Sequence, residues 1–291
     1  MKKILLFILM LVLGTVSFAE NIVITSIQPL YSLTSYLTKG TDIKVYTPFG
    51  SDISMTTSKE AIREEGFDLS VAKKAQAVVD IAKVWPEDVI YGKARMNKIN
   101  IVEIDASYPY DEKMTTIFFN DYSNGKVNPY IWTGSKNLVR MVNIISRDLI
   151  RLYPQNKAKI EKNVTKFTTD LLKLENEANE KLLSVDNASV ISLSENLQYF
   201  LNDMNIFAEY VDYDSITAEN VANLIKDKGT KVVISDRWLK KNVIKALKDA
   251  GGEFVIINTL DIPMDKDGKM DPEAILKAFK EQYRLFKIDL K

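Results

Sequence analysis

The sequence predicts an α/β protein: two parallel-sheet (β/α) lobes joined by one long rigid helix, with a ligand cleft between the lobes. Three observations carry this. Short β-branched runs alternate with amphipathic stretches in both halves, an order that builds parallel sheets with helices on their faces. Between the halves, Pro154 to Val185 reads as a single helix, with Ile160, Val164, Phe167, Leu171, Leu174, Ala178 and Leu182 spaced by threes and fours. The 291 residues, 46% of them hydrophobic, suffice for two globular cores. A helix of roughly thirty residues reaches about 45 Å, and with only about three heptads it reads as a span between lobes rather than a coiled coil.

Residues 1–19 read as a secretory signal. Lys2 and Lys3 precede an apolar run from Ile4 to Leu13, and Ser17, Phe18 and Ala19 form a small-x-small cleavage site. The run is short for a membrane span, no cysteine follows it, and the expected location is the periplasm. The first lobe, 20–153, begins with a strand at Asn21 to Thr25 and a helix from Leu30. Strand and helix alternate again at Ile43 to Thr47 with Ser58 to Glu65, and at Ala75 to Ile81 with Trp85 to Arg95. Asn100 to Asp105 is a fourth strand, Ala106 to Lys126 an aromatic loop, and Ser135 to Tyr153 a helix.

Pro154 suits the first turn of the connecting helix, 154–185, and Ser184 to Asn187 is its polar exit. In the second lobe, 186–291, Ser189 to Leu193, Phe207 to Val211, Lys231 to Ser235 and Glu253 to Leu260 read as strands. Helices are expected at Glu195 to Met204, Thr217 to Lys228, Leu239 to Ala250 and Pro272 to Phe286, the last started by Asp271-Pro272. Asp265 to Gly268 carries half of a calcium-loop spacing without the later ligands and reads as a solvated turn.

Composition narrows the chemistry. Lys and Arg total 39 and Asp and Glu total 39, so no net field recruits nucleic acid. Without cysteine there is no disulfide, thiolate nucleophile or thiolate metal site, and without histidine the usual general base and commonest neutral metal ligand are missing. Gly-x-Ser-x-Gly does not occur, so an enzyme is not expected.

Parallel sheets bind ligands beyond the carboxyl ends of their strands, so two facing halves place function between them. One stretch there is specific. Asn128-Pro129-Tyr130-Ile131-Trp132, followed by Ser135-Lys136-Asn137 and a helix, resembles the Asp-Pro-His-x-Trp loop of the metal-binding solute-binding proteins of zinc and manganese ABC importers. Thr25 to Leu30, the helix after Pro154 and Tyr199-Phe200 extend the resemblance over most of the mature chain. It implies a metal in the interlobe cleft and delivery to an inner-membrane ABC permease; a monomer is expected.

Carried over position by position, the family's ligands fall on Ser54, Tyr130, Ser194 or Glu195, and Asp261. The histidines are gone. A tyrosine and carboxylates are hard oxygen donors, poor for zinc and better suited to ferric iron, with Tyr130, Glu195 and Asp261 as the candidate set. Ser54, Trp132, Ser194 and Asp236 are candidate cleft residues. Tyr130 packed on Trp132 as simple lining remains the alternative site reading, and an adaptor without metal, or a binder of a flat organic ligand, the alternative function.

Overall fold

In a computed structural model, which describes residues 20–111, 113–183 and 188–284, eight short strands form two parallel sheets. The first sheet has the order β2-β1-β3-β4, from β1 (Asn21–Thr25), β2 (Ile43–Tyr46), β3 (Ala77–Asp80) and β4 (Val102–Asp105). The second, β6-β5-β7-β8, repeats the arrangement with β5 (Ser189–Ser192), β6 (Phe207–Tyr210), β7 (Val232–Ser235) and β8 (Glu253–Ile256). The signal segment and the Ser184 to Asn187 exit lie outside the described residues.

Alternation along the strands builds three cores. Val23 and Val79 of the first sheet join Val190 and Ile234 of the second in one continuous core that also holds the connecting helix. Ile22, Ile24 and Val78 face the other way into a core of the first lobe, and Ile191 and Val233 into one of the second. Helices α1 (Gln28–Leu37), α2 (Met55–Arg63), α3 (Ile90–Asn97) and α4 (Ser135–Leu152) belong to the first half of the chain.

The connecting helix α5 runs from Lys157 to Leu182, 26 residues, after a 3-10 turn at Pro154–Asn156. Ile160, Phe167, Leu171 and Ala178 are fully buried, and Val164, Leu174 and Leu182 pack on the same core, so all seven stripe positions are used. It lies against α1, α4 and the last helix, α9 (Ala274–Arg284).

Several element bounds differ from the pattern. Helix α2 starts at Met55 because Ser54 and Thr57 cap it reciprocally, the Ser54 N–H donating to Thr57 Oγ1 at 3.1 Å. Pro86 keeps Trp85 to Val89 in turns, and α3 begins at Ile90, where the buried Asp88 carboxylate takes the Ile90 N–H. Glu195–Leu197 is a 3-10 turn before α6 (Gln198–Asp203); α7 (Val221–Lys228) and α8 (Lys241–Asp249) complete the second half. Strand β8 ends at Ile256, since Leu260 sits at φ +61° with its N–H held by Asn258 Oδ1.

The chain then returns to the first sheet. Asp265–Lys266 and Lys269–Met270 form a hairpin, β9 and β10, turned by Asp267 and Gly268, both at positive φ. Met270 enters the first lobe's core, Gly50 bridges Lys269, and buried Gln28 bonds Asp271 O at 2.9 Å and the Met264 N–H at 3.0 Å. The half calcium loop is thus the tip of a clasp between lobes.

Candidate functional site

The site is assembled by a buried asparagine. Asn128, inaccessible to solvent, accepts the Tyr130 N–H on Oδ1 at 3.0 Å and donates from Nδ2 to Glu195 O at 2.8 Å and Gln198 Oε1 at 3.2 Å. Its own carbonyl accepts the Tyr199 hydroxyl at 2.9 Å. One side chain therefore fixes the loop before α4 against the turn after β5. Burial pushes the Tyr199 hydroxyl up to about 12, which keeps it a donor.

Around this staple, Tyr130, Ser194, Glu195, Asp236 and Asp261 line one interlobe cavity of about 500 Å³. The Tyr130 hydroxyl donates to Asp261, and burial, then the charge of Asp261, pushes its ionisation above the ordinary tyrosine range. Asp261 spans the cleft: its backbone carbonyl accepts the Met55 N–H at 3.0 Å and its carboxylate the Thr56 N–H, both at the start of α2. Burial first, and the Asp236 charge second, raise its carboxyl above the usual range. Asp236 Oδ2 accepts the Ser194 hydroxyl at 2.8 Å and Asn196 Nδ2 at 2.7 Å. Glu195 Oε2 accepts the Ser123 N–H at 2.7 Å.

What is left over is chemically informative. Asp236 Oδ1 and Asp261 Oδ1 are both buried with no hydrogen-bond partner. Arg237 Nε stands 3.9 Å from Asp236 Oδ1 and offsets part of its charge, which leaves the two carboxylates beside the cavity as a site of negative potential that a further cation relieves. No three Asp or Glu side chains converge into a metal cluster among the described residues.

The other two sequence candidates are elsewhere. Trp132 is 1% exposed, its Nε1 donating to Thr259 O at 2.7 Å, so it lies beneath the cavity rather than in its wall. The Tyr130 ring stacks on it, tilted, with centroids 5.2 Å apart. Ser54 is spent on capping α2, and Thr56, two residues on, reaches the cavity instead. Sequence reading missed Thr56 and the organising role of Asn128, signalled only by its place inside the loop motif; Asn196 and Arg237 fall in the stretches just after β5 and β7, at the strand ends where the sequence places function.

Paired α/β lobes around an acid-lined cleft, pinned by one helix, are an architecture of the two-lobed solute-binding type. The chain belongs to the family described as zinc-uptake complex component A, periplasmic, whose model matches residues 23–271. It is 25% identical over 197 residues to the metal ABC transporter substrate-binding lipoprotein SsaB of Streptococcus sanguinis, covering 67% of this chain and 59% of that protein. The manganese ABC transporter substrate-binding lipoprotein scaA of Streptococcus gordonii is 24% identical, again with 59% of its length matched. The fold is shared with the solute-binding protein FpvC of Pseudomonas aeruginosa, solved in complex with Mn2+, at 17% identity and TM-score 0.66 over 92% of this chain and 98% of that one. A Zn(II)-bound ZnuA-like domain of Streptococcus pneumoniae AdcA superposes with TM-score 0.66 at 17% identity, over 91% and 97% of the two chains.

Proposed function

We propose that this chain is the extracytoplasmic solute-binding protein of a metal-type ABC importer, capturing a metal ion or metal complex in the interlobe cleft and presenting it to an inner-membrane permease. Residues 20–153 and 186–291 act as the lobes, 154–185 as the strut, and residues 1–19 direct export. The observation that carries this is the pair of bare oxygens, Asp236 Oδ1 and Asp261 Oδ1, beside one cavity at the strand ends. Tyr130, Glu195 and Asp261, with Asp236 added, are the donors that a metal would draw together in this reading, since the three carboxylates do not converge without it. Ser194 positions Asp236 through its hydroxyl. All these donors are oxygen, which favours a hard cation such as ferric iron; the relatives' printed names point to zinc and manganese instead. Tyr130 is a hydrogen-bond donor to Asp261 as it stands, and its oxygen joins a metal only after that proton leaves.

The test is elemental analysis with native mass spectrometry on protein purified from its own extracytoplasmic compartment. Stoichiometric metal in the wild type, absent from the Asp236→Asn/Asp261→Asn variant, is the expected result. Stoichiometric zinc would overturn the donor-type argument. One observation favours a second reading, an adaptor that has lost its metal: Tyr130, Ser194, Asn196 and one oxygen of Glu195 are all engaged with other protein groups. Protein that carries no metal or organic ligand, and whose melting temperature no added ion shifts, would establish that reading.

A further inference from the structure

Away from the interlobe cavity, a groove of about 720 Å³ runs between α4 and α5 on the flank of the connecting helix, walled on one side by residues 113–115. The two share no residue. We propose that this groove is a separate binding site for an organic phosphate monoester, its phosphate held by the arginines of α4 and its organic body lying along the groove.

The sequence builds a basic face. Arg140, Arg147 and Arg151 stand seven and four residues apart, which puts them on one side of α4, and Lys157 opens α5 across from them. Lys113 is a fifth cation in the wall, against one acid there, Glu161. The neighbouring acids are shared out thinly. Asp111 serves Arg147 and also Arg151, the latter at 3.7 Å, while Asp148 takes Arg151 at 3.1 Å and Glu161 meets Lys157 at 3.8 Å. Arg140 lies 3.9 Å over the Phe118 ring and donates to Asn137 Oδ1 at 3.3 Å, contacts that leave its charge in place. Among the described residues, five cations thus meet three acids. The surplus of two positive charges is local, because the chain as a whole has a formal net charge of zero.

That surplus selects the ligand. A phosphate monoester gathers about two negative charges on one small group at neutral pH, and the planar guanidinium fork matches its oxygens. Asn143 and Ser146, between the arginines on α4, line the groove as neutral donors. Arg147 and Arg151 are 44% and 45% exposed, so their pairs with Asp111 are of the surface kind that contributes little and gives way to a dianion. A bare phosphate fills only a small part of the volume. Met114, Ile150 and Val164 supply apolar wall for an attached organic body.

The experiment is titration calorimetry of the purified protein with glucose 6-phosphate, glucose, inorganic phosphate and malonate, beside flotation with vesicles of phosphatidylcholine with and without phosphatidic acid. Glucose 6-phosphate is expected to bind once per chain, more tightly than inorganic phosphate, and glucose not at all. Arg140→Gln/Arg147→Gln should weaken the ester by about tenfold or more, with Arg140→Lys/Arg147→Lys between it and the wild type. Glu161→Gln removes the acid from the wall and should tighten the ester by about two- to fivefold, a gain that a misfolded variant does not produce. Binding confined to vesicles that contain phosphatidic acid keeps the phosphate monoester as the ligand and makes a lipid its source. Malonate binding as tightly as the ester overturns the choice of phosphate. Ester binding indifferent to both the double Gln variant and Glu161→Gln places it outside the groove, and binding of neither the ester, phosphate nor the acidic vesicles overturns the site; both results leave the cation-binding reading untouched.

Discussion

Two sets of acids sit at matching ends of the two sheets. Asp80 closes β3 and Asp105, its registered neighbour, closes β4; Asp236 directly follows β7, and Asp261 lies in the loop after β8. In the first lobe the acids are sealed: Asp80 is 0% and Asp88 4% exposed, each with one bare oxygen. Burial raises all three carboxyls, with repulsion from neighbouring acids adding to it at Asp80 and Asp88, against hydrogen bonds from the Ser26 hydroxyl to Asp88 and the Lys83 N–H to Asp105. In the second lobe Asp236 and Asp261 line a cavity, though the bare oxygen of each is itself buried. A parallel sheet delivers carboxylates to its ends in either case. Whether they are neutralised by protons or by cargo depends on access.

The largest effect should come from the open set. Replacing Asp236 and Asp261 together by Asn should cost about 3–5 kcal/mol of cation binding, two decades or more in affinity, whereas Asp80→Asn should leave capture intact. Equal losses from the two variants would erase the distinction between the sets.

The sealed set predicts a pH slope of stability. Burial holds the Asp88 carboxyl up at about 7, above its ordinary unfolded value near 4. A raised folded pKa contributes stability that is complete below the unfolded value, declines between about 4 and 7, and is gone above. The protein should therefore be more stable at pH 5 than at pH 8, with Asp88 contributing about 2–4 kcal/mol of the difference. Asp88→Asn should flatten the slope while leaving an oxygen for the Ser26 hydroxyl. Urea melts at the two pH values measure it, and an unchanged slope would show that Asp88 does not hold the proton. A smaller effect follows from Tyr130→Phe, which removes a donor from Asp261 and should cost about 1–2 kcal/mol of stability.

The parts of this architecture that were legible in the sequence are those set by local periodicity. The stripe from Ile160 to Leu182 depends only on 3.6 residues per turn, and the β-branched runs on period two, so the α5 span and all eight strands of the two sheets could be read. Strand β8 was overextended because Ile257, Thr259 and Leu260 keep a β-branched and apolar character while leaving the sheet, a departure set by Asn258 and the strained Leu260. The resemblance aligned Tyr130, Glu195 and Asp261, which the fold brings to one cavity. It could not show that Trp132 is sealed by a carbonyl 127 residues away, because that depends on a contact between the halves.

Ser54 gives the smallest effect and separates alignment from geometry. By position it stands where the family has a ligand; by structure it caps the helix whose first N–H groups hold Asp261. Ser54→Ala should cost about 1 kcal/mol, which for a protein of this size lowers Tm by about 2–4 °C. Asp is an equally good cap, so Ser54→Asp should restore Tm. Capture should survive in both variants, because the cap shapes the site without touching the cargo. A Ser54→Ala protein that keeps its Tm but loses its metal would make Ser54 a ligand after all, and would extend the open set of oxygens across to the first lobe.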